Sequence, residues 1–283
     1  MQSVAAGLRL ERKRIGLVPT MGALHEGHRA LIHRAREISD AVVVTIFVNP
    51  MQFGPSEDLE RYPRPFDSDV AEAGSAGADY VFAPAVAEMY PAGYQTRIHI
   101  DKVTRLLEGV SRPDHFDGVA TVVAKLFNII MPDVAVFGQK DGQQLVVVKR
   151  LVADLNFPVE VVAVPTVRET DGLAMSSRNV YLSTELRKQA PVVSQSLEAA
   201  RRLIQSGERN AATITGRMAD LIHARSAGRI DYVSIADADT LEEQESLKEG
   251  SRVMVSLAVR FSSTRLIDNI VMDVRTLTPH RGA

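Results

Sequence analysis

Pro19-Thr20-Met21-Gly22-Ala23-Leu24-His25-Glu26-Gly27-His28 follows the apolar run Ile15–Val18 without a break. A buried strand that opens through glycine into a His-x-x-His helix start offers backbone N–H groups and imidazoles to a polyphosphate. A second stretch, Met175-Ser176-Ser177-Arg178-Asn179, lies far downstream. Its hydroxyls and forked guanidinium suit the outer phosphates of such a ligand. The two stretches read as halves of one nucleotide site, in an enzyme that activates a carboxylate or phosphate with ATP.

Around the first stretch, β-rich apolar runs alternate with helical periods, the pattern of a parallel α/β sheet. Strands are expected at Ile15–Val18, Ala41–Val48, Tyr80–Ala83, Val134–Phe137 and Val159–Val164. Ala41–Val48 is apolar on both faces, as central parallel strands tend to be. Helices are expected over His28–Ile38, near Asp69–Ala76, and over Val119–Ile130 and Gln143–Leu155. The last of these is ended by Asn156-Phe157-Pro158. After Tyr181 the texture changes. Ser183–Ile204 and Ala211–Ala227 read as amphipathic helices, and Asp231–Ala236, Arg252–Val259 and Thr264–Ile270 as strands. Without βα alternation this stretch should be a separate domain. The expected fold is a Rossmann-like parallel-sheet α/β domain over residues 1–179 and a smaller α+β C-terminal lid domain over 180–283.

With 283 residues, 45% of them hydrophobic and 24% charged, the chain has the make-up of an ordinary globular protein with a sizeable core. A formal net charge of −2 argues against nucleic acid as a partner. Basic groups near a polyphosphate must then be local. The absence of cysteine excludes disulfides, thiolate metal sites and a cysteine nucleophile, and it suits a cytoplasmic location. Charges at Arg9–Arg14 follow the N-terminal residues instead of preceding an apolar stretch, so no signal peptide is read there. Ala41–Val48 is the longest apolar run and too short for a bilayer, so no membrane partner is expected.

Gly22 to Gly27 have the glycine spacing of a P-loop, but His28 and Arg29 stand where that motif needs Lys and Ser or Thr. No G-x-G-x-x-G occurs, which disfavours a dinucleotide oxidoreductase. His25 and His28 are one residue too close for a zinc-protease motif. A lone His pair at a helix start is ordinarily a cap. Here it sits at the carboxyl end of a strand, where open α/β sheets place ligands. Other strand ends are polar too: Asn49 and Gln52, then Gly138-Gln139-Lys140-Asp141 with Gln144, then Thr166-Val167-Arg168. Gln52 and Gln144 could hold a hydroxyl and a carboxylate without charge repulsion, and Lys140 could neutralise charge developing on an α-phosphate.

The segments PTMGALHEGH, IFVNPMQFG, FGQKDGQQL, PTVRETDGLAMSSRN and the late TRLIDNI closely resemble the pantoate–β-alanine ligase family over nearly the whole chain. That family belongs with the nucleotidylyltransferases and class I aminoacyl-tRNA synthetases. The resemblance implies two steps: pantoate and ATP give pantoyl adenylate and pyrophosphate, and β-alanine then displaces AMP to give pantothenate. It implies an ATP-binding turn from Met21 through Gly22, Ala23, Leu24, His25, Glu26 and Gly27 to His28, with His28 a proton donor and His25 a phosphate contact. Gln52 and Gln144 would hold pantoate, with Gln52 also meeting β-alanine, and Asn49 and Arg112 would line the same pocket. Gly138, Gln139, Lys140 and Asp141 would grip the nucleotide, Lys140 at the α-phosphate and Asp141 at the ribose. Val167 would contact adenine through its backbone, and Met175, Ser176, Ser177 and Arg178 would close over the outer phosphates. Mg2+ would accompany ATP, with Asp69 a weak candidate ligand. A homodimer is implied by the resemblance alone.

Two departures from the family pattern stand out. Gly142 replaces an Ala or aromatic residue, a change expected to cost a helix start up to ~1 kcal/mol and to leave the chemistry intact. The chain also begins close to Ile15, where family members carry an extra strand and a complete helix. Met1 is therefore expected to be an internal start or a trimmed end, with one sheet edge less covered. The rival enzyme reading is another nucleotidylyltransferase with a different small acceptor. A catalytically dead scaffold should have lost a His, Lys140 or the Ser-Ser-Arg loop, and none is lost. An RNA-binding synthetase-like module is disfavoured by the balanced charge.

Overall fold

The computed structural model describes residues 1–55 and 57–275. In chain order the elements are α1 (Gln2–Leu10), β1 (Ile15–Thr20), α2 (Glu26–Ile38), β2 (Ala41–Ile46), α3 (Phe66–Ser75), β3 (Tyr80–Phe82), α4 (Val86–Met89), α5 (Glu108–Ser111), α6 (His115–Ile130), β4 (Val134–Gly138), α7 (Gly142–Asp154) and β5 (Glu160–Val164). These are followed by α8 (Thr184–Gln189), α9 (Val192–Gln205), α10 (Ala211–Arg225), β6 (Arg229–Asp237), β7 (Arg252–Phe261) and β8 (Thr264–Asp273). The chain divides into two compact units.

The first unit is built on a five-stranded parallel sheet in the order β3-β2-β1-β4-β5. β1 runs alongside β2 from Ile15 opposite Ala41 to Thr20 opposite Ile46. On one face, Val18, Val42, Val44, Val134 and Val136 pack with Leu31, Ile32 and Ala35 of α2 and Ala73 of α3. Chain order reverses direction between β1 and β4, the switch point at which open α/β sheets hold ligands beyond their carboxyl ends. The five expected strands are all present. Helix α1, to which the sequence assigned no element, packs against α6 and β1.

The second unit comprises residues 140–142, 168–174 and the chain from Arg178 onward. Its three strands are antiparallel in the order β6-β7-β8. Leu197, Ala200 and Ile204 of α9 and Ile214, Met218 and Ile222 of α10 share a core with Val253, Val255, Leu257 and Val259 of β7. The expected single helix over Ser183–Ile204 is two helices, α8 and α9, separated at Ala190-Pro191. Proline lacks the N–H that a continuous helix would bond and its ring crowds the preceding turn.

Two glycines show how tightly the first unit is packed relative to an open helix surface. A Cβ on Gly118 of α6 would lie 2.3 Å from the Met51 carbonyl oxygen and 2.6 Å from the Gln52 nitrogen. Gly216 of α10 has nothing within 4 Å of the same position. Gly118→Ala should therefore destabilise by roughly 1–3 kcal/mol, because backbone must move to admit the methyl. Gly216→Ala should stabilise by about 0.5–1 kcal/mol through helix propensity. Chemical denaturation of both variants checks the opposite signs, and a neutral Gly118→Ala would show that α6 can slide away from the 50–52 turn.

Candidate active site

The expected polar residues follow β1, β2, β4 and β5 in the chain, and those that belong to the first unit lie at the carboxyl edge of its sheet. Beyond β1 the backbone turns through Gly22 and Ala23, both at positive φ (85° and 52°). Asp69 of α3 holds this turn: its carboxylate oxygens accept from the N–H groups of Ala23 at 2.9 Å and Leu24 at 2.8 Å. Asp69 is 2% exposed, and a Cβ on Gly22 would meet its Oδ2 at 2.7 Å. Gly22 is thus demanded twice, by φ and by the approaching carboxylate.

His25 is the N-cap of α2, and it and His28 cap reciprocally. His25 Nδ1 accepts from the Gly27 N–H at 3.1 Å, and His28 Nδ1 accepts from the His25 N–H at 3.2 Å. The rings lie 4.1 Å apart between centroids. Capping and ligand binding, posed as alternatives for this pair, are compatible. Accepting at Nδ1 leaves the proton of each neutral ring on Nε2. Each imidazole is then a directed Nε2–H donor. Gly27 is needed here as well, since a Cβ would stand 2.8 Å from the His25 ring.

Beyond β2, Pro50–Gln52 form a 3-10 turn capped by the Asn49 side chain. Asn49 is fully buried, with its Nδ2 donating to Gln52 Oε1 and the Gly118 carbonyl. Its Oδ1 accepts from the Met51 N–H and the Tyr90 hydroxyl. All four hydrogen-bonding positions of Asn49 are met by protein, so it braces the Gln52 turn. Gln52 donates to Met21 Sδ at 3.0 Å, a contact that joins the turns after β1 and β2. Its amide retains one N–H and one lone pair with no protein partner among the described residues.

Arg112 pairs with Glu57 through two nitrogens and also donates to the Gln52 carbonyl. The same carbonyl accepts from His115 Nδ1 at 2.8 Å, while His115 Nε2 faces Arg112 Nη1 at 3.1 Å. Neither His115 nor Glu57 was singled out from the sequence. Their one signal was proximity to Arg112 in the chain or to the NPMQFG block. On α7 the structure separates two adjacent glutamines. Gln143 is buried and bonded to Glu108 N–H and the Val103 and Leu106 carbonyls. Gln144 is half-buried and has no partner among the described residues. Beyond β5, the Val167 carbonyl accepts from the Met175 N–H at 3.0 Å, with half-buried Ser176 and Ser177 next in the chain.

The second unit holds Lys140, Asp141 and Arg178. Lys140 Nζ lies 3.2 Å from Asp141 Oδ1, and the Lys140 carbonyl accepts from Asn269 Nδ2 of β8 at 2.8 Å. Arg168, at the start of residues 168–174, makes a bidentate pair with buried Asp268. Gly142 is more than tolerated. A Cβ there would lie 2.8 Å from Met254 Sδ and 2.9 Å from Asn269 Oδ1. Among the described residues no group of three or more His, Asp or Glu is arranged to hold a metal ion. With both Asp69 oxygens already accepting backbone N–H groups, these residues do not fit a protein-held Mg2+.

Burial and the neighbouring Arg112 push the His115 imidazole down to about 4, against the opposing pull of the Gln52 carbonyl, Glu57 and Glu108. Between that value and the unfolded value of 6.5 the unfolded chain binds the extra proton, so stability rises with pH across this window. It is lost as pH falls from 6.5 towards 4, by up to about 3 kcal/mol. The stability gap between wild type and His115→Gln should accordingly shrink from pH 7 to pH 4.5 in urea denaturation. A gap independent of pH would mean that His115 is not held neutral.

Residues 1–271 match the family model described as pantoate-beta-alanine ligase. A curated relative from Moorella thermoacetica, named pantothenate synthetase, is 53% identical over 274 residues, covering 97% of this chain and 96% of its own length. The crystal structure of pantothenate synthetase from Thermus thermophilus superposes with a TM-score of 0.88 at 50% identity, covering 96% of this chain and 98% of that one. A pantoate-beta-alanine ligase from Francisella tularensis, in complex with beta-gamma ATP and beta-alanine, is 33% identical with a TM-score of 0.76, covering 95% of this chain and 94% of that one. No helix among the described residues is long and apolar enough to cross a membrane. With a match of this extent, the chain belongs to the pantoate–β-alanine ligase family.

Proposed function

We propose that this ligase condenses pantoate with β-alanine in two steps through an enzyme-bound pantoyl adenylate. The observation that carries the reaction is the family match over residues 1–271. In the first step a pantoate carboxylate oxygen bonds to the α-phosphorus of ATP and pyrophosphate leaves. In the second, the neutral amine of β-alanine attacks the acyl carbon, the anhydride bond to AMP breaks, and the amine gives up a proton.

The division of labour follows the family resemblance, together with the hydrogen-bonding capacity of the two glutamines. The His25 and His28 rings, each with its proton on Nε2, are the donors for phosphate oxygens, His28 acting where negative charge grows. Lys140 supplies positive charge at the α-phosphate and Asp141 meets the ribose. Ser176, Ser177 and Arg178 bind the outer phosphates, and the Val167 backbone meets adenine. Gln52 and Gln144 orient pantoate, since Gln52 retains one donor and one acceptor and Gln144 has its whole amide. Asn49, Arg112 and Asp69 act one layer back, bracing the Gln52 turn and the β1 turn. Mg2+ is expected only as ATP's own counterion, and no step is assigned to a protein-held metal. A homodimer in the cytoplasm is the expected state, and light scattering of the purified chain tests the dimer.

The chain has no cysteine, which closes a thioester route. ATP and pantoate alone should therefore exchange labelled pyrophosphate into ATP without β-alanine. Exchange that strictly required β-alanine would point to a concerted ligation. Exchange with other acids but not pantoate would overturn the substrate.

Lys140→Ala and His28→Ala should each lower that exchange by at least ~10²-fold, the order of loss when one preorganised charge-stabilising contact is removed. Their stabilities should differ. His28→Ala also removes a cap from α2 and should cost about 1 kcal/mol, whereas Lys140→Ala should leave Tm nearly unchanged. Full exchange activity in either variant would remove that residue from the chemistry.

A further inference from the structure

We propose that Asn269 is a positioning residue for Lys140, holding the 140–142 turn from β8 with its side-chain amide. The inference rests on the reading of Lys140 as the α-phosphate contact. Asn269 is 4% exposed and donates from Nδ2 to the Lys140 main-chain carbonyl at 2.8 Å, across 129 positions of sequence. A buried amide joined to a backbone carbonyl so far away in the chain ties the short 3-10 turn Gln139–Asp141, between β4 and α7, to β8.

The other side of the turn is fitted to the same group. Gly142 has no Cβ at the position where one would meet Asn269 Oδ1 at 2.9 Å and Met254 Sδ at 2.8 Å. Asn269 is itself held. Its own N–H donates to Asp268 Oδ1 at 2.8 Å, and the Asp268 carboxylate is anchored by Arg168 at 2.6 Å and 3.2 Å. Arg168 Nη1 also donates to the Gly172 carbonyl, which ties in the 168–174 segment. β8 thus links two separate pieces of the second unit, residues 140–142 and 168–174, through adjacent side chains.

Stabilising charge that develops on a phosphate depends on where the cation stands, and a misplacement of about 1 Å can cost ~10²-fold. Lys140 is half-buried and its Nζ lies beside Asp141 Oδ1, so its backbone sets which way the cation leaves the turn. The Asn269 amide touches no reacting atom on this account. It acts through the orientation of the Lys140 peptide.

The test is a double-mutant cycle on pyrophosphate exchange with ATP and pantoate, using Asn269→Ala, Lys140→Ala and the pair. Asn269→Ala should lower the maximal exchange rate by about tenfold or more while KM for pantoate stays within about twofold. In the Lys140→Ala background the same change should have little further effect, because the group it positions is gone. An equal loss in both backgrounds would overturn the proposal and leave the assignment of Lys140 standing. Full activity in Lys140→Ala would overturn that assignment, and the positioning role with it. Should Asn269→Ala fail to fold, Asn269→Leu enters the same cycle, keeping about the same volume but lacking the donor. Unchanged exchange in the folded Asn269→Leu protein would equally overturn the proposal.

Discussion

Asp69 sets both oxygens of a buried carboxylate against the N–H groups of Ala23 and Leu24, and the ligand edge of the first unit is organised around that contact. The β1 strand must turn sharply at Gly22–Ala23 so that α2 can begin at the sheet's switch point. A turn of that kind leaves main-chain donors unpaired close to the core, where an unsatisfied N–H is costly. Asp69 satisfies two of them from α3. The cap of α2 follows, and with it the orientation of His25 and His28.

The site rests on a division between polar residues that protein has saturated and those it has not. Asn49, Asp69, Gln143 and Asn269 are buried and bonded to backbone or to neighbouring side chains. Gln52 and Gln144 are less fully engaged. Saturated amides and carboxylates hold geometry, because breaking any one of their bonds leaves a buried group unpaired. In the proposed function the less engaged amides are the ones that meet a substrate. His115 extends the same logic. Burial keeps its ring neutral, so it can donate to the Gln52 carbonyl and accept from Arg112 at once.

Much of this was legible in the chain. The inner strands β1, β2 and β4 were marked by continuous apolar runs, since a strand covered on both faces tolerates little else. The residues at the strand ends were legible for the complementary reason, that polar groups clustered after buried strands have few other uses. The break between α8 and α9 was written there too, in Pro191, but the amphipathic period masked it. What could not be read was which of two chemically identical neighbours faces inward. Gln143 and Gln144 differ only in helical phase. Asn49 and Gln52 both follow β2, yet one is consumed by protein and the other is not.

The sequence by itself determined the order of the elements, the parallel sheet with its switch point, and the identity of the groups at its carboxyl edge. Those properties depend on local periodicity and on residue type, which a linear chain displays directly. Only the tertiary structure decided which polar groups brace and which remain available. It assigned Asp69 to the Met21–His28 turn, His115 to the Gln52 carbonyl, and Asn269 to Lys140. Each of those bonds joins residues dozens of positions apart or more, and hydrogen-bond saturation is a property of the packed neighbourhood, which no local pattern records.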